Sequence, residues 1–362
     1  MPDAKAKLTG KIYPNGPPSE ANSARSAYRT ARNENSFQRQ HSLSTIATGL
    51  GDYLENVGLT MTPQKPAYFD AFWDDVRREA EAIPLAPEIV AEPLRTTNDV
   101  SVFRVRFTSL DHIRIAGWYC RPTEFSGTLP ALLTVPGYQA ETRIPSDWAQ
   151  RGYAVLNVAV RGKLGSNDQF NPGIPNLLTH NIDDRHTYAY RGLYADAWRG
   201  LDFLLSLPEV DVARIGMFGS SQSGGLTVVT TALRSEIKAA SVGAPFLCGV
   251  RDAIGLTDTY PYQEINDYLR VFPDRRDAVM ETLGYYDGLN FANKVSCPLI
   301  MNIGLRDNVC PPEVGRAVFD AAGAADKTLY PYVDQGHDAG LHLHSPVIAE
   351  FFARHLQNAE SA

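Results

Sequence analysis

The chain is poor in basic charge, in paired cysteines and in long apolar runs, and each shortage removes a class of function. Its 34 Lys and Arg are outnumbered by 41 Asp and Glu, for a net charge of −7. A nucleic-acid binder needs a cationic face to displace phosphate counterions, so nucleic acid is not expected as a partner. Cys120, Cys248, Cys297 and Cys310 are scattered, with no CxxC pair. That spacing gives neither a zinc site nor a disulfide framework and predicts free, buried thiols. No run of 18 apolar residues occurs, so no membrane-spanning helix and no membrane partner are expected. The N-terminus lacks the basic, apolar and small-residue order of a secretory leader, and the expected location is cytoplasmic. His342 and His344 stand at i and i+2 without a third ligand at suitable spacing, so no metal is expected.

What is present is an ordinary apolar fraction of 44%, enough to bury a sizeable core in 362 residues. Two regions differ in composition. Residues 1–64 form a polar N-terminal extension rich in Ser, Asn, Pro and Ala; its first fifty carry seven Lys and Arg against three acids. Such a segment reads as an arm, here one that contacts another subunit. Residues 65–362 carry the patterns of a folded domain. Tyr68 opens an amphipathic helix reaching Ile83. Val102–Phe107 and Ile113–Tyr119 alternate as half-buried antiparallel strands do, with a turn at Ser109–His112. The period then changes. Ala131–Val135, Tyr153–Val160, Arg214–Phe218 and Leu299–Ile303 are short continuous apolar runs, the signature of parallel strands covered on both faces. Between them, Tyr194, Trp198, Leu201 and Leu205 make one helical stripe. The fold class is α/β, a mostly parallel central sheet flanked by helices.

The sharpest local signal is Gly219-Ser220-Ser221-Gln222-Ser223, between a strand and the apolar helix Leu226–Leu233. A strand-to-helix turn of this kind is a nucleophile elbow, with Ser221 lifted above the sheet and a small residue, Gly219, where helix and strand approach. A serine needs a base to take its proton. In the α/β-hydrolase fold the order is serine, acid, histidine, each after a late strand. Asp307 follows Leu299–Ile303, and His337 follows the short strand Leu329–Val333. Both loops emerge at strand carboxyl ends, where open parallel sheets bind ligands. Ser221, Asp307 and His337 are therefore the candidate triad. The candidate oxyanion donors are the N–H of Gln222, next to the nucleophile, and the N–H of Tyr138 in the loop Val135-Pro136-Gly137-Tyr138.

From Tyr68 onward the chain resembles the acetyl xylan esterase and cephalosporin C deacetylase group, carbohydrate esterase family 7. The resemblance is carried by Tyr68–Trp73, Gly117-Trp118, Pro136–Tyr138, Arg161–Lys163 and Tyr188–Gly192, and by the elbow itself. Pro245–Cys248, Tyr285–Ala292, Gly304–Pro312 and Gly336–Asp338 complete it. It implies an α/β-hydrolase fold with a helical insertion at about 245–290, no cofactor, and removal of short acyl groups from acetylated sugars or cephalosporin-like side chains. It also implies a homo-oligomer, a ring of six. Three positions depart from the family pattern: Lys163 replaces Gln, Ser223 replaces Gly at the elbow, and Asp338 replaces Glu after the histidine. An acyltransferase using the same acyl-serine, and a binding protein that keeps the fold without turnover, remain alternatives at this point.

Overall fold

The computed structural model describes residues 61–357, so the expected arm lies outside the described residues except for Met61 to Gln64. Those residues rest on the body. Met61 is buried, and Gln64 donates its N–H to Asn290 Oδ1 at 2.6 Å.

Strands β1 (Glu88–Ala91), β2 (Val100–Thr108), β3 (Arg114–Pro122), β4 (Leu129–Thr134) and β5 (Ala154–Ala159) make one side of a single sheet. Strands β6 (Val210–Ser220), β7 (Ile237–Gly243), β8 (Leu299–Gly304) and β9 (Lys327–Tyr332) make the other. The sheet order is β1-β2-β3-β5-β4-β6-β7-β8-β9. The pairs β1–β2, β2–β3 and β3–β5 are antiparallel, and every pair from β5–β4 to β9 is parallel. Among the described residues this is the α/β-hydrolase arrangement, a mostly parallel sheet with helices on its faces.

The two strand patterns read from the sequence differ here in burial. β2 alternates between core and surface, whereas β4, β5 and β8 are buried at every residue. Asp111 and His112 both take positive φ in the turn between β2 and β3. β7 has no such signature, because Lys238-Ala239-Ala240-Ser241 is neither alternating nor bulky. Its small residues serve packing instead. A Cβ on Gly224, in the helix Gln222–Leu233 that precedes β7, would stand 2.5 Å from the Gly243 carbonyl oxygen.

The helices are α1 (Phe69–Glu81), α2 (Ser146–Ala149), α3 (Ala189–Leu205), α4 (Gln222–Leu233), α5 (Val250–Leu256), α6 (Tyr262–Val271), α7 (Arg276–Tyr286), α8 (Pro312–Ala321) and α9 (Leu341–Phe352). α5, α6 and α7 all lie between β7 and β8, where a helical insertion is expected. α1 buries Phe69, Phe72, Trp73, Val76 and Ala80, the single face its spacing defines. Trp73 meets Tyr286 at 5.2 Å between ring centres and donates its indole N–H to the Tyr285 carbonyl at 2.9 Å. Along α3 the Tyr194–Trp198–Leu201 stripe is buried, and so are most residues on its other faces, because the helix lies between α1 and the sheet. Arg161, just past β5, holds Asp196 of α3 with two bonds of 3.0 Å. Gly192 makes room for that guanidinium, since a Cβ there would come within 1.9 Å of it.

Candidate active site

The nucleophile candidate stands where β6 turns into α4. Ser221 has φ 60° and ψ −126°, a strained conformation that only surrounding contacts can hold. Those contacts are present. Its N–H donates to the Gly243 carbonyl at 2.9 Å, and its own carbonyl accepts from Gly225 and Phe246, each at 3.0 Å. The glycines of the turn are required by close approach. A Cβ on Gly219 would lie 1.9 Å from Ser223 Oγ, and one on Gly225 would lie 1.9 Å from the Phe246 carbonyl. This explains how Ser223 fits a position that favours glycine: Gly219 opposite leaves the space. The Ser223 hydroxyl is buried and has no partner among the described residues.

The acid and base come from the next two loops. Asp307 follows β8 and is buried; its Oδ1 accepts the N–H groups of Val309 and Cys310 at 2.8 and 2.9 Å. Its Oδ2 lies 2.9 Å from His337 Nδ1, and His337 Nε2 lies 3.0 Å from Ser221 Oγ. A carboxylate can only accept, so Nδ1 carries the ring proton and Nε2 is left to accept from the serine hydroxyl. The two loops touch directly. Arg306 N–H donates to Gln335 O at 2.9 Å, and a Cβ on Gly304 would lie 2.1 Å from Gly336 O. Gly304 thus lets the histidine loop close onto the aspartate loop.

The two oxyanion candidates are joined to each other. Gln222 opens α4, where helix N–H groups have no acceptor within the helix. Its side-chain amide donates to the Pro136 carbonyl at 3.2 Å and accepts from Tyr190 OH at 2.9 Å. Tyr138 follows β4 in the loop so held. Its hydroxyl donates to Glu264 Oε2 at 2.7 Å and accepts from Leu178 N–H at 3.1 Å. Burial, with the Glu264 carboxylate beside it, pushes the Tyr138 phenol well above its ordinary range and keeps it a neutral donor.

Three neighbours of this site have no role assigned from the sequence. Glu264 comes from α6, 126 positions from Tyr138. Lys163 is buried and donates to the Tyr138 carbonyl oxygen. Cys310, whose N–H bonds Asp307, has a thiol that burial raises well above its ordinary value, so it stays protonated. The four cysteines are free, three buried and Cys297 partly exposed. His342 and His344 point apart: His344 is enclosed beside Tyr332 OH at 3.0 Å, while His342 pairs loosely with Asp338 at the surface. Among the described residues no group of three His, Cys, Asp or Glu is arranged to hold a metal. None of their helices is long and apolar enough to cross a membrane.

The sequence profile of the acetyl xylan esterase (AXE1) family matches residues 57–355. The chain is similar to acetyl esterase Axe7A of Xylanibacter ruminicola, 26% identical over 79% of this chain and 68% of that protein. Among solved structures it is similar to the acetyl xylan esterase from Paenibacillus sp. R4, at 32% identity and a TM-score of 0.77, covering 82% of this chain and 98% of the other. It is also similar to acetyl xylan esterase 1 from Thermoanaerobacterium sp. JW/SL YS485, at 26% identity and a TM-score of 0.76, over 82% and 96% of the two chains.

Proposed function

The chain belongs to the acetyl xylan esterase family, and from that premise we propose that it deacetylates small oxygen esters, acetylated sugars foremost, through an acyl intermediate on Ser221. The activity is that of a carboxylic ester hydrolase. The acyl-transfer and binding-protein alternatives give way, because the family and the relatives similar along most of the chain are esterases.

The assignment of roles rests on one observation, the unbroken line from Ser221 Oγ through His337 to Asp307, with steps of 3.0 and 2.9 Å. In this reading Ser221 Oγ attacks the ester carbonyl carbon as its proton passes to His337 Nε2. Asp307 holds the imidazole tautomer and stabilises its cation. The N–H groups of Gln222 and Tyr138 receive the negative oxygen. Collapse expels the alcohol, which takes the proton from His337. A water then repeats the sequence on the acyl-serine and releases the carboxylic acid. The same reading includes a ring of six copies, tested by sedimentation velocity, and a cytoplasmic location, tested by fractionation of the native host.

The experiment is hydrolysis of p-nitrophenyl acetate, butyrate and octanoate by the wild type and Ser221→Ala. Rapid acetate turnover that falls with chain length and vanishes in the variant is the expected result. An acyl adduct that accumulates on Ser221 without turnover would transfer the argument to an acyl acceptor other than water. Neither turnover nor adduct would remove the reading.

A further inference from the structure

We infer that Lys163 is a positioning residue for this reaction, its buried ammonium holding the Tyr138 peptide in place and setting a positive charge behind the oxyanion donor. The inference rests on the proposed roles of Ser221 and Tyr138.

The lysine is fixed from its backbone outward. It sits in a tight turn after β5, where Gly162 takes a φ of 82°, Lys163 N–H donates to Val160 O at 3.1 Å, and its carbonyl accepts from Ser166 at 2.8 Å. The side chain is 1% exposed, and its Nζ donates to the carbonyl oxygen of Tyr138. An ammonium taken out of water is costly unless it is paired. Lys163 makes no ion pair among the described residues. Glu141 is the acid that acts on it through space, but that carboxylate accepts the Leu164 N–H at 2.9 Å. Burial accordingly pulls the ammonium below its ordinary range. A buried cation spent on one peptide carbonyl makes physical sense where that peptide must not move.

The rest of the loop is held to the same end. The Tyr138 hydroxyl is tied to Glu264 at 2.7 Å and to Leu178 N–H at 3.1 Å, and Gln222 holds Pro136 O at 3.2 Å. The Tyr138 ring, its carbonyl and the Pro136 carbonyl two residues before are thus each anchored, which restrains the backbone that carries the Tyr138 N–H. The carbonyl oxygen that the ammonium holds stands one residue's backbone from that donor, about 4 Å of chain. The ester substrate is neutral and its tetrahedral state is anionic. A fixed charge and a fixed donor therefore act on the transition state far more than on the bound substrate, and their loss falls on kcat.

The test compares the wild type with Lys163→Met, which keeps length and loses charge and donor, and Lys163→Gln, which keeps an uncharged donor. Three quantities are measured: kcat and KM for p-nitrophenyl acetate, and the affinity for phenylboronic acid, whose adduct on Ser221 carries a negative oxygen. Losing one oxyanion donor lowers kcat by roughly 10²–10³, and the expected loss for Lys163→Met lies at or below the lower end. KM stays within about twofold, boronate affinity falls in step with kcat, and Lys163→Gln recovers part of both, as a change confined to the transition state requires. A folded Lys163→Met with undiminished kcat overturns the inference. So does a loss of kcat that leaves boronate binding intact, which is what a general disturbance of the fold produces. Should Lys163→Met fail to fold, Lys163→Gln decides on the same three readings. An active wild type with unimpaired variants removes this inference alone, whereas a wild type without ester turnover removes the esterase reading with it.

Discussion

Around Trp73, the rings of Tyr194, Tyr286 and Phe291 close to between 5.2 and 5.5 Å, and the one polar atom of the indole has its acceptor. Around Ser221 the backbone is bent to φ 60°, and among the described residues the Ser223 hydroxyl is buried without a partner and a lysine is enclosed without an ion pair. The two regions belong to one domain but differ in backbone conformation and in what they bury. The aromatic layer between α1, α3 and α7 supplies stability through close ring packing, although the Trp198 indole N–H and the Tyr188 hydroxyl within it have no partner among the described residues. The loop edge above β6, β8 and β9 bends the backbone and buries polar and charged groups, and in the proposed reading it holds a hydroxyl, an imidazole and two N–H groups in reactive order. Strain concentrates where a fold performs chemistry and is supported from elsewhere in the molecule.

That contrast can be broken at either end. The largest effect is expected from Ser221→Ala, which should lower kcat for p-nitrophenyl acetate roughly 10⁶-fold and leave the melting temperature unchanged or higher. A marked fall in melting temperature would mean that the elbow stabilises the fold as well. Asp307→Asn should cost roughly 10⁴-fold in kcat through the wrong imidazole tautomer, measured on protein of unaltered circular dichroism. A loss below tenfold would remove Asp307 from the catalytic line. On the other side, Trp73→Ala should destabilise by about 3–5 kcal/mol in urea unfolding, with specific activity of the folded fraction retained.

The smallest effect sharpens the comparison through pH. Burial holds His344 down at about 4, against roughly 6.5 for an unfolded histidine. The folded state therefore resists the proton that the unfolded chain accepts. The contribution is fully present above pH ~6.5 and is lost as pH falls through about 4, at most roughly 3 kcal/mol. His344→Phe should flatten that acid limb in stability measured from pH 7 to 4, and an unchanged slope would assign the limb to other groups.

The triad candidates were legible because the α/β order ties each to a strand end, and a buried parallel strand announces itself as a short apolar run. Ser221, Asp307 and His337 are brought together from positions up to 116 apart, and the elbow motif with the strand order pointed to all three. β7 was illegible, since Ala239, Ala240 and Ser241 are small, buried residues between the layers on the two sheet faces and so lack the bulk by which a strand is recognised. Glu264 was illegible for another reason. A glutamate on an amphipathic helix reads as a solvated face, and only the folding of α6 over the Tyr138 loop makes it a buried acceptor. Lys163 drew notice only as a departure from a family pattern, and its acceptor is set by the approach of two loops.

What the sequence determined is what short-range chemistry enforces: the period of each strand and helix, the glycines demanded by the elbow, and the order of serine, acid and base. What the tertiary structure decided is which polar atoms lose water together. Lys163, Glu264 and the Tyr138 hydroxyl are ordinary surface chemistry in isolation. Their roles arise when helices and loops distant in the chain close over them, because desolvation and hydrogen-bond direction depend on neighbours that no local pattern specifies.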